Sequence, residues 1–194
     1  PKPPADSLRV VSVGRLIGWK GYHLALEAFA RLPPHMPGCS YWLIGEGPER
    51  GRLAELARRW GVRGSVQLLG KLPREQVLRL LSCADLLLHP SLHDSGGWAC
   101  VEALAAGCPV VCLDCGGPAG IVSEECGIKV AAGDREQTVE ALARAMKRLG
   151  EDRRLRQRMG VEARRRVRRR FNWERKGELL QEMYLRVALE ASER

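Results

Sequence analysis

SVQLLGKLPREQVLRLLSCADLLLHPSLHDSGGWACVEALAAGCPVVCLD, residues 65–114, holds three short apolar runs separated by two segments with helical spacing. The runs at 65–70, 84–90 and 109–114 are apolar nearly throughout instead of alternating with polar residues, so each needs cover on both faces. Between them, 74–81 and 98–106 repeat their apolar residues at the helical period. Strands buried on both faces and joined by helices imply parallel pairing, because a parallel connection must carry the chain back across the sheet. Outward from this stretch the alternation continues. LRVVSVG (8–14), a helix over 20–31, YWLIG (41–45) and a helix over 48–60 precede it, and CGIKV (126–130) follows. The expected fold class is α/β, a doubly wound, Rossmann-like parallel sheet of about six strands with extra C-terminal helices. Three stretches are expected: a linker remnant at 1–7, marked by prolines at 1, 3 and 4; the sheet domain at 8–150; and basic helices at 151–194 belonging to the same domain.

With 194 residues and 45% hydrophobic content, the chain can bury a substantial core. No apolar run approaches the roughly 20 residues that span a bilayer, and PKPPADS lacks the features of a signal peptide, so a cytoplasmic location is expected. Seven cysteines, an odd number, then read as reduced thiols. The net charge of +9 is concentrated: residues 151–176 hold 12 Arg or Lys against 4 Asp or Glu. RRRVRRR (164–170) raises nucleic acid or an anionic membrane surface as partners. A helix there spreads its charges around the circumference with Leu155, Met159 and Val167 inward, so a solvated face is the favoured account and nucleic acid is not the favoured partner.

A doubly wound sheet binds ligands beyond the carboxyl ends of its strands, which directs attention to the segments 14–20, 45–48, 70–72, 90–98 and 114–118. GRLIGWKG (14–21) places Arg15 and Lys20 after the first strand, a planar fork of donors and a point charge suited to a pyrophosphate. GEGP (45–48) offers the first two glycines of a dinucleotide fingerprint, but Arg50 stands at the third and no acid ends the next strand, which disfavours an NAD site. At 95–98, Gly96 and Gly97 let an anion approach the start of a helix, and Glu102 follows one turn later, able to accept from a pair of sugar hydroxyls. Cys108, Cys112 and Cys115 have an iron–sulfur-like spacing but flank a buried strand, where thiols act as small hydrophobes. His89 and His93 are separated by Pro90, which disfavours the helix that would align them on a metal.

Taken together, VGRLIGWKG, LIGEGPER, VQLLGKLP, ADLLLHPS, the Asp94–Glu102 segment, EALAAGCPVV, the Gly116–Gly117 turn and RRFNW resemble, in order and spacing, the C-terminal donor-binding domain of family-4 (group 1) retaining glycosyltransferases of the GT-B fold. The resemblance runs from about Leu8 to Trp173. It implies that Arg15 and Lys20 hold the donor diphosphate, that Glu102 binds the ribose, and that Asp94 contacts the donor sugar. Gly14, Gly47, Gly96, Gly97 and Trp98 would line the pocket, and Lys71 and Leu72 would meet the base. It further implies a UDP-, GDP- or ADP-sugar donor, transfer of a hexosyl-type sugar without a metal or cofactor, and an N-terminal domain of the same polypeptide for the acceptor. The isolated domain is expected not to transfer sugar. One departure stands out: the family usually has Glu where this chain has Asp94. A nucleic-acid-binding module built on 151–176 is the alternative reading, and an NAD-dependent oxidoreductase domain a less favoured third.

Overall fold

The computed structural model describes residues 7–32, 36 and 38–192. Apart from Ser7, the linker expected at 1–7 lies outside the described residues. Six strands form a single sheet: β1 (Arg9–Val13), β2 (Ser40–Ile44), β3 (Val66–Gly70), β4 (Leu86–His89), β5 (Val110–Leu113) and β6 (Gly127–Val130). Every described pairing is parallel and the spatial order is β3-β2-β1-β4-β5-β6. The order reverses between β1 and β4, so their diverging connections open a crevice at the carboxyl ends of those two strands.

The period-2 geometry of the strands sorts their side chains into two cores. Val10, Leu86, Leu88, Val111 and Leu113 face one, with α1 (Tyr22–Ala30), α2 (Arg50–Arg59) and α6 (Arg135–Glu151). Val11, Leu87, Val110 and Cys112 face the other, with α3 (Arg74–Cys83), α4 (Trp98–Ala106), α5 (Gly116–Ile121) and α7 (Arg153–Arg170). All four residues of β4 and of β5 are buried, as their apolar runs require.

Two local features differ from the sequence expectation. The helix expected over 20–31 is divided, with a 3-10 turn at Gly18–Lys20 followed by a left-handed Gly21 that turns the chain into α1. The Gly116–Gly117 turn is instead the start of α5, a single short helix. Beyond β6, Asp134 and Asp152 cap α6 and α7 by accepting from the N–H groups of Gln137 and Leu155. Met159 and Ala163 of α7 enter the cores, and Leu155 and Val167 are partly buried against them. The last helix, α8 (Trp173–Ser192), is exposed from Trp173 to Leu189. Among the described residues no helix is long and apolar enough to cross a membrane.

Candidate donor site

Backbone hydrogen bonds join the loops at the carboxyl edge of the sheet into one rim. Gly14 N–H donates to the Ile44 carbonyl (3.0 Å), Leu16 N–H to Glu46 (2.9 Å) and Glu49 N–H to Leu16 (3.0 Å). Across the crevice, Leu92 N–H donates to Trp19 (2.9 Å), and Gly117 N–H donates to the Asp94 carbonyl (2.8 Å). The approach of the first two loops is so close that a Cβ on Gly45 would lie 1.9 Å from the Gly14 carbonyl oxygen. Only glycine permits it.

Asp94 sits where these loops meet. Its Oδ1 accepts from the N–H groups of Gly96 (3.1 Å) and Gly97 (3.0 Å). Its Oδ2 lies 2.6 Å from Lys20 Nζ and 3.0 Å from His89 Nε2. Burial pushes the Asp94 carboxyl up, but the hydrogen bonds from Lys20 and Gly97 together with the Lys20 charge hold it well below the usual carboxylate range. Burial lowers the His89 imidazole by more than the Asp94 charge raises it. The ring is therefore neutral near pH 7, and against an ionised carboxylate its Nε2 carries the proton and donates it.

Gly97 caps α4 at φ +56, a left-handed conformation that lets the chain turn at once into the helix. The opening N–H groups of a helix have no intrahelical acceptor and carry the positive end of its dipole. Gly97 donates to Asp94, while the N–H groups of Trp98 and Ala99 have no acceptor among the described residues. One turn on, Glu102 Oε1 accepts from Arg74 Nε at 3.1 Å.

The expected site residues fall along this rim. Arg15 is exposed in the loop after β1 and has no ion pair among the described residues. Gly14 follows β1 directly, Gly47 lies in the loop after β2, and Lys71 (exposed) and Leu72 (half-buried) follow β3. Gly96 is exposed and Trp98 stands out into solvent, 63% exposed. Lys20, Asp94, Gly96 and Gly97 come together directly. Glu102 is tied instead to Arg74, which the sequence reading did not single out.

It also missed the roles of His89 and Tyr22. His89, weighed only as a metal ligand, is 2% exposed and serves Asp94. Its signal was a histidine closing an otherwise apolar buried strand. Tyr22 is 3% exposed and its hydroxyl has no hydrogen-bond partner among the described residues. A Cβ on Gly14 would lie 2.6 Å from that hydroxyl, so the glycine leaves it room.

Two clefts elsewhere do not compete with the rim for this role. One of about 290 Å³ lies by Asp85 and Pro109 at the amino ends of β4 and β5, and Arg156 there is already bonded within the fold. The other, about 420 Å³, runs between Ser123 and the arginines of α7.

The sequence matches the family described as "Glycosyl transferases group 1" over residues 1–166. It is 36% identical over 157 residues to the lipopolysaccharide core biosynthesis glycosyltransferase LpsE of Rhizobium meliloti, an alignment covering 80% of this chain and 43% of LpsE. It is 31% identical over 185 residues to the glycogen synthase of Mycobacterium tuberculosis, covering 95% of this chain and 44% of the synthase. Among solved structures, Anabaena Alr3699/HepE in complex with UDP and glucose is similar with a TM-score of 0.80 and 25% identity, over 92% of this chain and 48% of that one. The chain thus spans less than half the length of these curated relatives.

Proposed function

The chain belongs to the group 1 glycosyl transferases, as one Rossmann-like half of their GT-B architecture, and from that premise we propose that it is the half that binds the sugar donor. The donor is a nucleoside diphosphate sugar, lying across the carboxyl ends of β1 and β4. The observation that carries this reading is the convergence of Lys20, Asp94 and the start of α4 on the edge where the strand order reverses. The UDP and glucose bound by Alr3699/HepE support the donor class.

In this reading Arg15 and Lys20 hold the diphosphate, and the N–H groups at the start of α4 meet one of its oxygens. As the sugar–phosphate bond breaks, negative charge grows on the leaving diphosphate, and these fixed donors stabilise it most at that stage. A cluster of cations and helix N–H groups does this without a metal. Lys71 and Leu72 border the base. Transfer proceeds with retention, to an acceptor held by an N-terminal domain that closes the other wall of the crevice.

Glu102 binds the two ribose hydroxyls. Its ion pair with Arg74 is no obstacle, because Arg74 is 77% exposed and such a pair contributes at most about 1 kcal/mol. Titration calorimetry with UDP, GDP and ADP tests the reading: one of them should bind, and Glu102→Ala should weaken it by roughly 1 to 3 kcal/mol. Unchanged affinity would remove the ribose role from Glu102, and failure of all three nucleotides to bind the full-length protein would remove the donor site.

A further inference from the structure

We propose that Asp94 is a positioning residue for the donor diphosphate, holding Lys20 and the Gly96–Gly97 turn in place, and not a ligand of the donor sugar. The inference rests on the donor-site reading for its consequence, but its geometric basis is independent of any ligand. A carboxylate has about four lone-pair positions on its two oxygens. At Asp94 all four are taken: Gly96 and Gly97 N–H on Oδ1, Lys20 Nζ and His89 Nε2 on Oδ2. A sugar hydroxyl could donate to this carboxylate only by displacing one of them. The bond to Lys20 is short and charge-assisted, and the two N–H bonds also fix the turn that starts α4.

The short side chain is part of the arrangement. An aspartate oxygen reaches the N–H groups two and three residues ahead, closing a turn on its own backbone. A glutamate, one methylene longer, would carry its carboxylate past that turn and out toward the rim. The residue that departs from the family pattern is thus the one spent on internal contacts. Its partner Lys20, 74 residues away in sequence, is thereby held on the β4 side of the crevice. His89, 2% exposed, donates to the same oxygen that Lys20 holds.

Asp94→Asn keeps the shape of the side chain while removing its charge and half its acceptors. Binding of UDP, UMP and UDP-glucose by Asp94→Asn, Lys20→Met and the double variant separates the roles. If Asp94 acts through Lys20, Asp94→Asn lowers UDP affinity several-fold and UMP affinity less than twofold. Lys20→Met does the same, and the double variant is no worse than the poorer single one. Loss confined to UDP-glucose, with UDP affinity unchanged or raised, overturns the proposal in favour of a direct sugar contact. Equal loss of UDP and UMP, or losses that multiply in the double variant, also overturns it. Should wild type bind GDP or ADP in place of UDP, the same comparison is made with that diphosphate, its monophosphate and its glucose conjugate; should it bind none of the three, the donor-site reading fails, and NMR of the free chain still decides the contact itself. Asp94→Asn must then shift the Lys20 side-chain resonances and speed amide exchange at Gly96 and Gly97, and unmoved signals sink the inference.

Discussion

His89 is where one side chain links the site to stability. It is 2% exposed, held neutral by burial, and donates to Asp94. In the unfolded chain a histidine titrates near pH 6.5. With its folded value lowered, the unfolded state takes up a proton that the folded state resists, so stability is full above that pH and falls as pH drops below it. Asp94 adds a second, more acidic limb: its depressed folded value means stability present above the unfolded carboxyl value near 3.9 and lost as pH falls through the folded one. His23, also lowered, by half-burial and then by Arg52 and Arg135, contributes to the first limb. The expected result is that His89→Gln flattens the fall in melting temperature between about pH 7 and 5. An identical slope in wild type and variant would show that the imidazole ionises freely. His89 was visible in the sequence only as a polar residue in an apolar strand. Its role depends on a loop that folds back to bring Asp94 within 3.0 Å, which no local pattern encodes.

Among the elements, α7 shows how charge in a sequence can mislead. RRRVRRR reads as a solvated or ligand-binding face, yet several arginines of α7 are ties to other helix ends. Arg164 donates to the Ala106 carbonyl at the end of α4, and Arg166 to Ile121 and Gly120 at the end of α5. Arg156, 8% exposed, donates to the Leu149 and Gly150 carbonyls near the end of α6 and pairs with Asp85. Carbonyls there lack intrahelical donors and carry the negative end of the dipole, so a cation satisfies both needs. Arg156→Met should therefore cost about 3 kcal/mol in denaturant unfolding, by leaving two carbonyls unpaired and Asp85 without its cation, held among the described residues only by the Arg9 N–H, while the exposed Arg169→Ala should stay within about 0.5 kcal/mol. Equal effects would mean that α7 does not use its arginines selectively. The strands and the longer helices were legible because period-2 burial and helical spacing are local properties. The α5 helix was not, because GGPAGI has poor helix propensity and is fixed by Gly117 N–H donating to Asp94.

At the scale of the whole molecule, the two cores and the exposed last helix separate what the fold needs from what it carries. Strands β1, β4 and β5 at the centre are covered on both faces, and α7 completes one core with Ala163 while lending Met159 to the other. Helix α8 adds nothing to either: Trp173 to Leu189 are exposed, including Leu179, Leu180, Met183, Tyr184 and Val187, which recur at helical spacing along one side. Burial of apolar area is the main favourable contribution to folding, so an element that buries little adds little to global stability. Removing residues 173–194 should thus leave the melting temperature within about 2 °C, equivalent to under about 1 kcal/mol for a domain of this size. The far-ultraviolet helix signal should fall by the share due to α8. Removing 153–194 instead should abolish cooperative unfolding, because it strips Met159, Ala163 and Arg156 from their buried positions. A drop of more than about 4 °C on the shorter deletion would show that α8 packs on the domain in solution, and the boundary between the structural and the added part of the chain would then move from Phe171 to beyond Leu189.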